Sequence, residues 1–300
     1  MNDLRKLLLY LAASLAIGAL LAPLLFQWGH ALAGRGIFST ITAQGFHRYF
    51  SRIVEITAVL LLWPLARSLR VRSLAELGLR WDSQWARRLA FGFVAAVALM
   101  AVMSLIVFAF GGLIFRPAEH QFTGEIPKVI FTAACVGFIE ECIFRGAFLG
   151  LLQRSMSRIG ALFASSLFFA VLHFIQPLKS EIAPADITWS SGFALIPTVF
   201  SQWSDPVMIG ASFTTLLAVG WVLGWAMQRT RSLWLGIGLH AGWVFCVQGF
   251  GKFAYFAPGK LPWIGADIRI GLAPLLTVIL TGLLCRAWLD HLKLQLSDES

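Results

Sequence analysis

The sequence predicts an all-α, polytopic membrane helical bundle of about eight transmembrane helices. Three observations carry that expectation. Of 300 residues, 58% are hydrophobic and 13% charged, where soluble domains carry about 25% charged residues. Apolar runs near 20 residues recur eight times, each long enough to cross about 30 Å of hydrocarbon at about 1.5 Å per residue. The basic residues are divided unevenly between the two sets of loops, as expected of membrane proteins. The chain therefore reads as a single membrane-embedded domain over 1–300. Residues 1–125 supply N-terminal spans, 126–250 a core that carries most of the intramembrane polar groups, and 251–300 the last loop and span.

The first run, 7–28, follows Arg5 and Lys6. Ala31-Leu32-Ala33 resembles a signal-peptidase site, but the run outlasts a usual signal core, so it reads as an uncleaved span. The second and third runs are 53–70 and 89–115; between them "SLRVRSLAELGLRWDSQWARR" reads as a basic anchor without chemistry. The fourth and fifth are 128–152 and 160–177. The loop 178–206, with Trp189, Trp203, Pro184, Pro197 and Pro206, fits an interfacial cap and equally a connector held at the headgroups by its aromatics. Runs 207–228, 232–250 and 270–289 complete the set. Pro64 and Pro274 fall inside spans, where neighbouring helices can resatisfy the backbone.

Fourteen Lys and Arg fall on the N-terminal side of the membrane and nine on the other. The positive-inside rule then puts both termini in the cytoplasm of a multi-pass protein, as in a plasma (inner) membrane. The net charge of +9 suits that reading. No Lys/Arg cluster is interleaved with aromatics, so nucleic acid is excluded as a partner and membrane lipid is expected. Cys135, Cys142, Cys246 and Cys285 lie in apolar runs without CxxC spacing and read as small hydrophobes.

Ionisable side chains within spans point to function. The fourth span holds "FIEECIFRG", with Glu140, Glu141 and Arg145; the fifth holds His173 and the seventh His240. Glu141 and Arg145 are four apart and share a helix face, so they can pair. Glu140 is rotated about 100° from Glu141, which leaves it free to face a cavity, where an apolar surround suits a general base. Counted from the span ends, Glu140 lies roughly 18 Å deep, His173 roughly 20 Å and His240 roughly 12 Å, so one layer can hold all three. Such a set can activate water directly. It can also hold a divalent metal such as Zn²⁺ as Glu140, His173 and His240 with water as fourth ligand, or relay protons in a transporter. No inverted repeat supports the transporter, and no HExxH supports zinc.

These residues also resemble a known family. "EECIFR" (Glu140 to Arg145) is similar to an EExxxR motif, and "FAVLH" (Phe169 to His173) to an FxxxH motif. "LWLGIGLHAGWV" places His240 where a third motif has a His followed four residues on by Asn or Asp. Together they resemble the CAAX protease and bacteriocin-processing (Abi) family of intramembrane proteases, over roughly 125–250; "SLAELGLR" weakly resembles a loop of the same proteins.

The resemblance implies an intramembrane endopeptidase acting on a membrane-associated protein or peptide. It implies Glu140 as the water-activating base, Glu141 and Arg145 as the second motif glutamate and its partner, His173 as the helper of the base or a metal ligand, and His240 as an oxyanion stabiliser or second ligand. Phe169 reads as packing. Position 244 departs from the pattern: Val244 stands where Asn or Asp is expected. That departure motivates an alternative, a non-catalytic immunity or partner-binding member of the family, with Trp243 or Gln248 as substitute donors if the chain is an enzyme.

Overall fold

The computed structural model describes residues 3–37, 44–71, 73–116, 125–175, 177, 179, 182–199, 206–265 and 267–298. In chain order the helices are α1 (Asp3–Ala33), α2 (Phe46–Ser68), α3 (Trp85–Ala109), α4 (Ile126–Glu141), α5 (Arg158–Leu172), α6 (Ser191–Leu195), α7 (Pro206–Thr230), α8 (Trp234–Phe253) and α9 (Leu272–Asp298). After Glu141 the α4 segment runs on as a π-helix, Cys142–Leu149, and ends in one α turn, Gly150–Leu152. The chain is thus an all-α, multi-pass membrane protein, and each of the eight expected spans holds a helix. Among the described residues, α1, α2, α3, α7 and α9 are long and apolar enough to cross a membrane without a break.

The other three spans differ from expectation for identifiable reasons. The 128–152 span is helical throughout, but the π segment divides it. The 160–177 span ends at Leu172, because the chain turns through Phe174 N–H to Val171 and Ile175 N–H to Leu172, ahead of Pro177, which disfavours helix. The 232–250 span forms α8, whose composition is diluted by His240, Gln248 and glycines. The 89–115 span also overshoots. Gly111 and Gly112 end α3, and Leu113–Phe115 (β1) pairs antiparallel with Ala254–Phe256 (β2) in the register Leu113 to Phe256 and Phe115 to Ala254.

The chain divides into two compact units. The first comprises residues 1–72 and 171–206. In it α1 packs along α2, with Ala19, Ala22 and Phe26 against Phe46, Phe50 and Ile53, and Ile187, Leu195 and Val199 complete the core. The Tyr10 hydroxyl donates to the Ala58 carbonyl at 2.9 Å, and Gln27 Nε2 donates to Ile187 O at 3.1 Å. The described part of the 178–206 loop therefore packs onto α1, with Gly192 directly against the Ala19 backbone.

The second unit comprises residues 73–170 and 207–300. Its axis is α8, on which every residue from Trp234 to Trp243 is buried. A side chain at Gly92 of α3 would meet Leu235 O at 2.5 Å, and one at Gly242 would meet Phe93 O at 2.8 Å. Gly238 lies directly against the Leu89 backbone, and a side chain at Gly137 of α4 would meet Ala241 N at 2.9 Å. Small residues give membrane helices this backbone approach, since lipid supplies no hydrophobic force between helices. Leu235, Leu239 and Trp243 then pack with Met100, Met103, Leu223 and Val278.

Both ends of the α3–α8 pair are tied. At one end Leu233 N–H donates to Gly78 O at 2.9 Å, and Trp234 Nε1 donates to Arg80 O at 2.8 Å. At the other lies the β1–β2 clasp, where Arg116 N–H also donates to Phe253 O at 2.7 Å. The 73–84 segment is thus a packed loop. Leu77 and Leu79 are buried, and Gly78 adopts φ +93° with its α-carbon facing Met227 and Leu233, a conformation and a space that suit only glycine.

Asp82 starts α3, accepting Gln84 N–H at 3.0 Å on one oxygen and Arg88 Nη1 at 2.6 Å on the other. Burial raises the Asp82 pKa, but these bonds and the charges of Arg88 and Arg80 outweigh it and hold the carboxyl below its usual value.

Two outcomes follow for the purified protein in detergent. Gly238→Val should destabilise it by about 1–3 kcal/mol through overpacking against α3, read as a lowered unfolding midpoint; an unchanged midpoint would contradict the close approach. Because the folded-state pKa of Asp82 is depressed, its contribution to stability holds above the ordinary carboxylate range and fades as pH falls through the lowered value. The Asp82→Asn variant should lose that acid-side dependence, measured as the difference in midpoint between wild type and variant from pH 7 to pH 3.

Candidate active site

Five residues nominated by sequence can be placed, and the second unit brings four of them together. Glu141 is the last α-helical residue of α4 and fully buried, and Arg145 follows in the π segment at 1% exposure. Arg145 Nη1 donates to Glu141 Oε1 at 2.7 Å, the pairing expected from their spacing. The same carboxylate oxygen lies 2.9 Å from Nδ1 of His240, a partner the spacing could not reveal. Glu141, already an acceptor for Arg145, can only accept here as a carboxylate, so His240 Nδ1 carries the proton and donates.

That bond turns His240 Nε2 toward Glu140, whose Oε2 is 3.6 Å away. Glu140 is set apart from its neighbour by exposure: its side chain is 30% exposed against 0% for Glu141. Even so, its Oε2 atom is buried and has no hydrogen-bond partner among the described residues. Two atoms 3.6 Å apart can both bond one water at about 2.8 Å.

Neighbouring helices complete the enclosure. The Arg145 guanidinium stands 4.4 Å over the Phe169 ring, and its Nη2 reaches Gly220 O of α7 at 3.4 Å. Phe169 also meets the His240 imidazole edge-on, with centroids 6.0 Å apart. Phe169 is thus packing, as its sequence position suggested, and it packs on both the cation and the imidazole. A side chain at Gly236 would stand 2.8 Å from Glu141 Oε2, so this glycine makes room for the carboxylate. Gly146 meets Leu77 O at a similar distance (3.0 Å for an added Cβ), which seats the 73–84 loop against the π segment.

His173 falls in the first unit, in the turn just past α5, and is half-buried. Sequence reasoning placed it inside a span; the early end of α5 places it at the helix exit instead. Val244 is half-buried on α8, one turn beyond His240. The neighbouring Trp243 has a buried Nε1 without a hydrogen-bond partner among the described residues.

A catalytic zinc takes three protein ligands. The second unit offers Glu140 and His240 Nε2 as donors, since His240 Nδ1 is engaged by Glu141. Among the described residues no group of three His, Cys, Asp or Glu side chains could hold a metal ion. Within the second unit, Glu140 and His240 are the two residues that would hold such a metal.

Removing one partner of a buried ion pair leaves an uncompensated charge, at a cost of about 3–5 kcal/mol. Arg145→Met should lower stability by that order. The double variant Glu141→Gln, Arg145→Met should be less damaging than the sum of the single changes; additive losses in denaturation would show that the two do not interact.

Comparison with family models matches residues 122–246 to the Type II CAAX prenyl endopeptidase Rce1-like family. Comparison with curated proteins found no match, and comparison with solved structures found none either. The matched segment contains α4, α5, α7 and most of α8, and so Glu140, Glu141, Arg145, His173 and His240. It bears out the resemblance read from the three motifs and supports an intramembrane protease. Residues 122–246 are thus similar to the Rce1-like type II CAAX prenyl endopeptidase family.

Proposed function

We propose that the protein is an intramembrane endopeptidase in which Glu140 activates the attacking water. The observation that supports this most is Glu140 Oε2, buried and without a hydrogen-bond partner among the described residues, facing His240 Nε2 at 3.6 Å. Glu140 accepts a proton from water while the water oxygen attacks the scissile carbonyl carbon. As the tetrahedral intermediate collapses, the C–N bond breaks and Glu140 returns the proton to the amine.

His240 is held in one tautomer by Glu141. Its Nε2 is left to accept the second hydrogen of the water that Glu140 activates. Arg145 Nη1 donates to the same Glu141 oxygen and so holds that carboxyl in place. The motif resemblance gives His173 the part of helper to the base. The family name suggests the substrate, a prenylated C-terminal peptide of a membrane-associated protein. The surplus of basic residues on the N-terminal side supports a cytoplasmic location for both termini in a plasma (inner) membrane.

Val244 favours a second reading, a non-catalytic partner-binding or immunity protein, because a valine provides no donor one turn beyond His240. On the protease reading, purified wild type cleaves a prenylated CAAX peptide, and Glu140→Gln lowers kcat by about 10²–10⁴. Val244→Asn raises the rate, with Trp243→Phe as a control for the neighbouring indole. Equal cleavage by wild type and Glu140→Gln sinks the base assignment, and no cleavage of any peptide by wild type favours the binding role. Chelation separates the two forms of this reading: an unchanged rate favours a metal-free glutamate base, and loss restored by added Zn²⁺ favours a metal-dependent one.

A further inference from the structure

A second polar feature of the same unit lies away from Glu140, and the protease reading does not use it. The N-terminus of α5, the last turn of α7 and the C-terminal part of α9 meet around an open cleft of about 360 Å³. Its lining comprises Arg158, Trp225, Gln228, Arg229, Arg286 and Asp290. Arg158 Nη2 donates to the Gln228 carbonyl, and Gln228 Nε2 returns a bond to Arg158 O at 2.9 Å, so the ends of α5 and α7 are stapled together. Arg229 Nη2 reaches Asp290 Oδ1 at 2.8 Å, while Arg286 stands 3.9 Å from the other oxygen of the same carboxylate.

Charge does not balance here. Three guanidinium groups face a single carboxylate, and Arg286 is 71% exposed at the long end of its contact. Planar guanidinium donors suit phosphate oxygens in a way point charges do not. The cleft also lies at the ends of membrane-spanning helices, where headgroups lie, and Trp225 lines it with the amphipathic ring typical of that depth.

We infer that this cleft is a binding site for the phosphodiester headgroup of an anionic membrane phospholipid. The phosphate would sit between Arg158 and Arg286, competing with Asp290 for Arg229, and the acyl chains would lie along the apolar flanks of α7 and α9. Basic pockets between helices recognise anionic lipids in this manner, each arginine contributing about fivefold in affinity.

The test is a lipid titration of the full-length protein in mixed micelles, following the unfolding midpoint. Phosphatidylglycerol should raise the midpoint and phosphatidylcholine should not. Arg158→Gln and Arg286→Gln should each weaken the apparent affinity about fivefold. Asp290→Asn, which removes the competing carboxylate, should strengthen it and guards against variants that fail to fold. Equal shifts with both lipids, or unchanged affinity in the arginine variants, would overturn the inference. So would an equal shift from glycerol 1-phosphate alone, since that would mark a soluble-anion site rather than a lipid site.

Discussion

The Glu141 carboxylate is the point on which the second unit depends. It is wholly buried, and one of its oxygens serves both the guanidinium of Arg145 and the imidazole of His240. Burying a charge in a low-dielectric interior is costly unless it is paired and hydrogen-bonded. This one has both kinds of partner, and they come from different elements, α4 with its π extension and α8. Packing then follows from the bond. Gly236 stays bare to admit the carboxylate, Phe169 covers Arg145 and His240 together, and Gly220 of α7 receives the other end of the guanidinium.

Chemistry follows from the same bond through the tautomer of His240. With Nδ1 donating to Glu141, Nε2 turns toward Glu140. Adjacent residues with the same carboxyl group thus acquire different roles from helical rotation alone. One is sealed and ion-paired; the other is partly exposed, with one buried oxygen lacking a hydrogen-bond partner among the described residues.

How much of this was legible in the sequence depends on how local each interaction is. Hydropathy located a helix in all eight expected places, because the length needed to cross hydrocarbon is a property of the run itself. The Glu141–Arg145 pair was legible for the same reason, being four residues apart on one helix. The bond from Glu141 to His240 joins residues 99 apart in sequence, and periodicity cannot carry it. The π segment at Cys142–Leu149 left no compositional mark, since an apolar run can adopt either helix. The early exit of α5 before His173 had a sign in Pro177 that hydropathy overrode. The 73–84 loop was read as a basic anchor from its charge, whereas its two buried leucines and Gly78 make it part of the packing beneath Arg145.

The clasp between β1 and β2 has a mechanical consequence. α3 and α8 are fastened at one end by that strand pair, at the other by Gly78 and Arg80, and along their length by glycines in backbone contact. Sliding or hinging between them would break bonds at both ends together, so the pair behaves as a stator. Any breathing of the second unit has to come from the helices that are not tied at both ends in this way.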